Sequence, residues 1–167
     1  MQTECAAFYR RSYPDCMDTV IARVFNVLGS GLSNRLALGS FSEQIATAER
    51  QGTPARLQVG NLESRRDFLH IDDVVRALDA ILVVEKPRPI YVVASGTSLR
   101  IRDLVEQLIA ESGHPISLEV DPARMRNQDV SDVYGSPAAL NLDAGWTPMR
   151  DARDALPDML ASARTRR

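Results

Sequence analysis

Two short runs constrain this chain more than anything else in it: residues 19–25, Thr-Val-Ile-Ala-Arg-Val-Phe, and residues 90–94, Ile-Tyr-Val-Val-Ala. Both are rich in β-branched side chains and lack the polar alternation of a strand with one wet face. Strands of that kind sit in parallel sheets, covered by helices on both sides. Helical patterns flank and separate them, so the sequence predicts an α/β fold with a parallel sheet. Two such strands alone would leave both sheet edges bare. The expectation is therefore part of a doubly wound sheet.

Between these runs the spacing becomes helical. Residues 2–13 place Cys5, Phe8, Tyr9 and Ser12 on one side and stop before Pro14. A loop over residues 26–34 carries Gly29 and Gly31, suited to a sharp turn or a close approach. Residues 41–49 read as a helix, with a start that could lie several residues earlier, closed by Gly52 and Pro54. Residues 57–59 alternate as a strand. Asp72 or Asp73 can cap the next helix, with Val74, Val75, Leu78, Ile81 and Leu82 as its buried stripe. Ile101, Leu104, Val105, Leu108 and Ile109 mark an amphipathic helix ending at Gly113, and Ile116, Leu118 and Val120 alternate as a strand. Residues 121–135 have no period. Residues 137–142 and 152–163 read as helices, the last with Ala155, Leu156, Met159 and Leu160 inward.

The stretch over residues 59–77 joins strand, loop and helix, and its loop holds Arg65 and Arg66. Gly60 and Asn61 before them both tolerate positive φ and so predict a tight turn. A guanidinium on such a loop can grip phosphate or carboxylate through its planar fork, or stand as a solvated surface charge.

The totals exclude several classes. With 44% hydrophobic and 25% charged residues over 167 positions, the chain suits one folded domain. A net charge of −2 gives no electrostatic footprint for nucleic acid. Two cysteines, Cys5 and Cys16, with only His70 and His114 beside them, predict neither a disulfide framework nor a metal site. No apolar run reaches membrane-spanning length, and the predicted location is the cytoplasm.

Taken in series, the motifs carry a resemblance. They are Arg23-Val-Phe-Asn26 with Gly29-Ser-Gly31; Val59-Gly-Asn-Leu-Glu-Ser-Arg-Arg-Asp-Phe68; Asp72-Asp-Val-Val-Arg-Ala77; Tyr91-Val-Val-Ala-Ser-Gly96; Asp121-Pro-Ala-Arg-Met-Arg-Asn-Gln-Asp-Val130; and Gly145-Trp-Thr-Pro148. In that order and spacing the chain resembles the C-terminal half of the extended short-chain dehydrogenase/reductases that act on nucleotide sugars. The nearest branch is the group of GDP-4-keto-6-deoxymannose reductases and GDP-mannose 4,6-dehydratases.

The resemblance implies a partial Rossmann-type sheet with an interleaved small α/β substrate-binding domain. Residues 1–27 and 72–96 would belong to the dinucleotide-binding sheet, and residues 28–71 and 97–167 to the nucleotide-sugar region. It implies that Arg66 and Arg126 hold the diphosphate, that Asp129 accepts from the ribose hydroxyls, and that Asn26 and Asn61 face the sugar nucleotide. Arg23, Val24 and Asn26 would meet the nicotinamide of NAD or NADP through backbone. The expected ligand is a nucleoside-diphosphate sugar, with GDP favoured, and no metal.

Two family motifs are absent: the glycine-rich cofactor loop, and the Tyr-x-x-x-Lys pair in which tyrosine is the acid/base. Tyr9 and Tyr13 have no lysine four residues on, because Lys86 is the only lysine. Ser30 and Asn127 stand where the family usually has proline. The expectation is a sugar-nucleotide half whose cofactor half lies on a second chain or outside this sequence, or else a non-catalytic nucleotide-sugar binder, or a truncated fragment with no activity of its own; a homo-oligomer is the other expected association.

Overall fold

A computed structural model describes residues 2–13, 19–125 and 130–166. The elements run α1 (Gln2–Ser12), β1 (Ile21–Val24), β2 (Asn26–Leu28), α2 (Ala37–Gln51), β3 (Ala55–Val59), β4 (Arg65–Arg66), β5 (Phe68–His70), α3 (Ile71–Leu82), β6 (Ile90–Val93), β7 (Leu99–Arg100), α4 (Ile101–Ser112), β8 (Ile116–Val120), β9 (Asp132–Val133), α5 (Ala138–Ala144) and α6 (Leu156–Thr165). Single 3₁₀ turns lie at Pro122–Arg124 and Ala152–Ala155. The protein is α/β with parallel strands: β1 pairs with β6, β2 with β5, and β3 with β8, all parallel.

The two β-branched runs pair with each other, Ile21 opposite Ile90 and Val24 opposite Val93. The first run does not end in a loop, as its glycines suggest. At Phe25 the chain changes partner. Phe25 N–H still donates to the Val93 carbonyl at 3.0 Å, while Asn26 N–H donates to the Asp67 carbonyl at 3.2 Å, and β2 begins there. Residues 26–28 are thus a strand beside β5. Asn26 is a poor strand former that the pairing and its own side chain hold in place.

Two apolar clusters follow from these pairings. One gathers Phe41 and Ile45 of α2, Leu57 and Val59 of β3, Leu104 and Leu108 of α4, and Leu156 and Leu160 of α6. Each fully buried leucine there contributes roughly 1.5–3 kcal/mol. The other packs α3 on β6 through Val74, Ala77 and Ile81 with Tyr91 and Val93, and α5 adds Leu140 beside Trp146.

Helix α3 corrects two expectations. Its cap is His70, whose Nδ1 accepts from the Asp72 N–H at 3.1 Å. Asp73 is instead fully buried and accepts from the backbone N–H groups of Met149 and Arg150 at 3.0 and 2.9 Å. That buried carboxyl sets the rotation of the helix. Val74, Ala77 and Ile81 therefore face inward, while Val75, Leu78 and Leu82 are exposed. The small Ala77 lets the neighbouring layer approach. In α1, likewise, Cys5, Phe8 and Tyr9 face outward.

The glycines also divide. Gly60 and Asn61 do not adopt positive φ, so they do not form the predicted left-handed turn. Gly60 serves close approach: a Cβ there would stand 2.5 Å from the carbonyl oxygen of Arg124. Gly29 is packed in the same way against Ile71, whereas Gly31 takes φ of 80°.

Candidate functional site

The site grows from the two ends of residues 59–68. At the first end, β3 finishes beside β8, and the Asp121 N–H donates to the Val59 carbonyl at 2.8 Å. The chain then turns through Gly60, Asn61 and Leu62. Asn61 Oδ1 accepts from the Glu63 N–H at 3.0 Å and fixes the turn. The carbonyls of Leu62 and Ser64 accept from the first N–H groups of α4, those of Arg102 and Ile101, at 3.0 and 3.1 Å. The loop thereby replaces the side-chain cap that α4 lacks. Arg102 hydrogen-bonds the exposed Glu63 carboxylate and, with Arg100, holds it below the usual carboxylate range.

At the second end, β4 lies between β7 and β9, with Arg66 opposite Leu99 on one side and Val133 on the other. Successive strand residues face opposite ways. Ser64, Arg66 and Phe68 accordingly line one cavity, and Arg65 does not. Arg65 donates through Nη2 to the Ser98 carbonyl at 2.8 Å and lies 3.8 Å from Asp132, which makes it a tie between strands. Arg66 Nη1 donates to the Arg65 carbonyl at 2.7 Å.

Asp67 points away from the cavity into the molecule and is fully buried. Its carboxyl accepts the N–H groups of Ser95, Gly96 and Gly135 at 2.8, 3.1 and 3.2 Å. Its own carbonyl accepts from Asn26 Nδ2 at 2.8 Å. One residue thus joins the β6 turn, the β9 exit, β2 and β4.

The cavity has a volume of about 610 Å³, within the range that takes small organic ligands. Its walls are apolar: Leu28 and Phe25 near β2, Leu36, Leu38 and Phe41 at the start of α2. Its polar groups are Asn26, Asn61, Ser64, Arg66 and Arg124. Among the described lining residues there is no carboxylate, and the two ionised groups are both arginines.

Of the residues expected at the site, the fold brings Asn26, Asn61 and Arg66 to this one cavity. Arg23 and Val24 lie outside it. Arg23 is exposed on β1 with Nη2 3.4 Å from Thr3 Oγ1, and Val24 packs on the second apolar cluster. Arg126 and Asp129 fall outside the described residues. Sequence reasoning missed Arg124 and Ser64. Ser64 had no signal of its own, since the short strand that puts it on the same side as Arg66 and Phe68 is set by pairing with β7 and β9. Arg124 had none, since its approach depends on the 3₁₀ turn packed on Gly60. Among the described residues no group of three His, Cys, Asp or Glu could hold a metal ion, and no helix is long and apolar enough to cross a membrane.

Comparison with known proteins shows the family. The GDP-6-deoxy-D-mannose reductase of Pseudomonas aeruginosa is 33% identical over 147 residues, covering 88% of this chain and 48% of that protein. The dTDP-6-deoxy-L-talose 4-dehydrogenase (NAD(P)(+)) of Kitasatospora kifunensis is 31% identical over 150 residues, covering 87% of this chain and 46% of that one. The structure of RMD from Pseudomonas aeruginosa complexed with NADPH superposes with a TM-score of 0.86 at 27% identity, over 98% of this chain and 53% of that one. The chain spans about half the length of the curated relatives it matches. Residues 1–159 match the sequence profile of GDP-mannose 4,6-dehydratases. This chain belongs to the GDP-mannose 4,6-dehydratase family.

Proposed function

We propose that this chain is the sugar-nucleotide-binding portion of an NAD(P)-dependent oxidoreductase that reduces a 4-keto-6-deoxyhexose carried on GDP. Its strands would then be part of a doubly wound, dinucleotide-binding sheet, with a smaller α/β substrate region interleaved. The observation that carries this reading is the cavity: apolar walls, room for a small organic ligand, and charge of one sign supplied by arginine. An anion seated there meets cationic partners in a partly desolvated place, where charge-assisted hydrogen bonds are strongest. The apolar walls suit the flat faces of a base or a sugar.

Each residue then has a task. Arg66 grips a phosphate through its fork. Asn26, with Nδ2 tied to the Asp67 carbonyl, keeps Oδ1 as an acceptor for a sugar hydroxyl. Asn61 shapes the loop that borders the base. Arg126 and Asp129 would complete the diphosphate and ribose contacts, as the family resemblance implies.

The cofactor fits this chain poorly. The sequence has neither a glycine-rich loop to take a pyrophosphate nor a lysine to lower the pKa of a catalytic tyrosine. Bound NAD(P)H would supply hydride, and the residues present would bind and orient the acceptor.

Calorimetric titration with GDP and with guanosine tests the reading. GDP should bind, and guanosine about tenfold more weakly or worse, because it lacks the phosphates. Equal affinity for the two, or no binding of GDP, contradicts the assignment.

A further inference from the structure

We propose that residues 30–36 are a lid over the cavity, and that the end of α6 latches it through Ser162 and Arg166. Access to the cavity, rather than the identity of its ligand, is what the latch sets.

The lid is a loop with an apolar inner side. Leu32 and Leu36 line the cavity, whereas Ser30, Ser33, Asn34 and Arg35 are exposed. Its upstream end is pinned where Gly29 lies against Ile71, and downstream the Ser33 carbonyl rests on Gly39 in the first turn of α2. Its own backbone hydrogen bonds are local. The Leu32 N–H donates to the Gly29 carbonyl at 3.3 Å, and the Leu36 N–H to the Ser33 carbonyl at 3.0 Å. α2 begins after Leu36 without a side-chain cap, so no capping side chain ties the loop to the helix.

Two hydrogen bonds reach the loop from far along the chain. The Gly31 N–H, on a backbone with φ of 80°, donates to Ser162 Oγ at 3.1 Å. Arg166 Nη2 donates to the Leu32 carbonyl at 3.0 Å. Between them Arg164 holds Glu49 of α2 at 2.8 and 2.6 Å. The latching end of α6 is therefore anchored on α2 independently of the loop.

Arg166 also has a second acceptor within reach. Glu43 Oε2 on α2 is buried and, among the described residues, accepts no hydrogen bond. It lies 3.7 Å from Arg166 Nη1, too far for a hydrogen bond. A buried oxygen left without a donor is costly. When the Leu32 carbonyl moves away, Arg166 can close on Glu43 and satisfy it. Closed and open lids thus each offer Arg166 an acceptor, which makes the latch a two-state element.

Hydrogen–deuterium exchange of the ligand-free 167-residue chain reads the lid directly, with residues 104–108 of α4 as the internal reference. Ser162→Ala combined with Arg166→Ala should speed exchange over residues 31–36 about tenfold and leave the reference unchanged. Arg166→Lys should speed it by a smaller factor, since charge remains without the fork. Glu43→Gln should act the other way and slow exchange in the lid about threefold, because a neutral amide competes less well for Arg166. A static brace would be weakened by either change. The proposal is overturned if the double variant exchanges over residues 31–36 at the unsubstituted rate, or if Glu43→Gln speeds exchange there as the double variant does.

Discussion

Arg65 and Arg66 are neighbours in sequence, and the pleat of a two-residue strand gives them unrelated work. Arg65 ties β4 to Ser98 and Asp132, and Arg66 lines the cavity. From the sequence both were arginines on a loop. What separated them was that residues 65–66 pair on both sides, and no local pattern announces a strand of that length. Asp67 shows the same limit. It reads as part of a motif, yet its place is a buried hub for three backbone N–H groups drawn from residues far along the chain. Removing it leaves those donors unpaired. Asp67→Ala should cost about 2–4 kcal/mol, with Asp67→Asn milder because it keeps one acceptor, as measured by urea denaturation. A loss under about 0.5 kcal/mol for the alanine variant would show that water replaces the carboxyl at little cost.

Among the elements, helices with clean periodicity were legible, and those built around a polar anchor were not. Helix α4 and the run Ala155, Leu156, Met159 and Leu160 face inward as their spacing requires. Helix α3 follows its expected stripe only at Val74 and Ile81, because Asp73 is pulled inward by the chain at Met149 and Arg150. Packing predicts where stability lies. Leu108 is fully buried between α2, α4 and α6, so Leu108→Ala should cost about 2–5 kcal/mol in the same denaturation measurement. Across α2 and α6, Arg164 grips Glu49 with two hydrogen bonds, at 2.8 and 2.6 Å. Arg164's hydrogen bond holds the Glu49 carboxyl below its ordinary value of 4.5. A lowered folded-state value means this contribution is complete above 4.5 and is lost as pH falls through the folded value beneath it. The pair is solvent-screened, so Glu49→Gln should lower stability by about 0.2–1 kcal/mol near neutrality. Thermal melts of the two proteins should converge in acid; a gap that persists there would assign the loss to packing.

For the whole molecule, the parallel sheet was readable from β-branched runs alternating with helical patterns, and the family from the order of the motifs. The cavity was not. Its wall at Leu36, Leu38 and Phe41 and its second arginine come together only after β3, β8 and α2 have packed. The chemistry of the chain is bounded in the same way. On the proposed reading its residues hold a nucleotide diphosphate, and the sequence has no Tyr-x-x-x-Lys pair to protonate a substrate. The purified chain should therefore show no NADPH oxidation with a keto-sugar nucleotide, followed by absorbance. Turnover without a partner chain would contradict the division of labour proposed above.

The claim on which the account turns is that the cavity beside β4 holds a nucleoside diphosphate through Arg66. Calorimetric titration of GDP into Arg66→Ala and Arg65→Ala, each checked for folding by circular dichroism, tests it most directly. Arg66→Ala should lose about tenfold or more in affinity, and Arg65→Ala should retain it. Undiminished GDP binding by Arg66→Ala, or an equal loss in both variants, would contradict it.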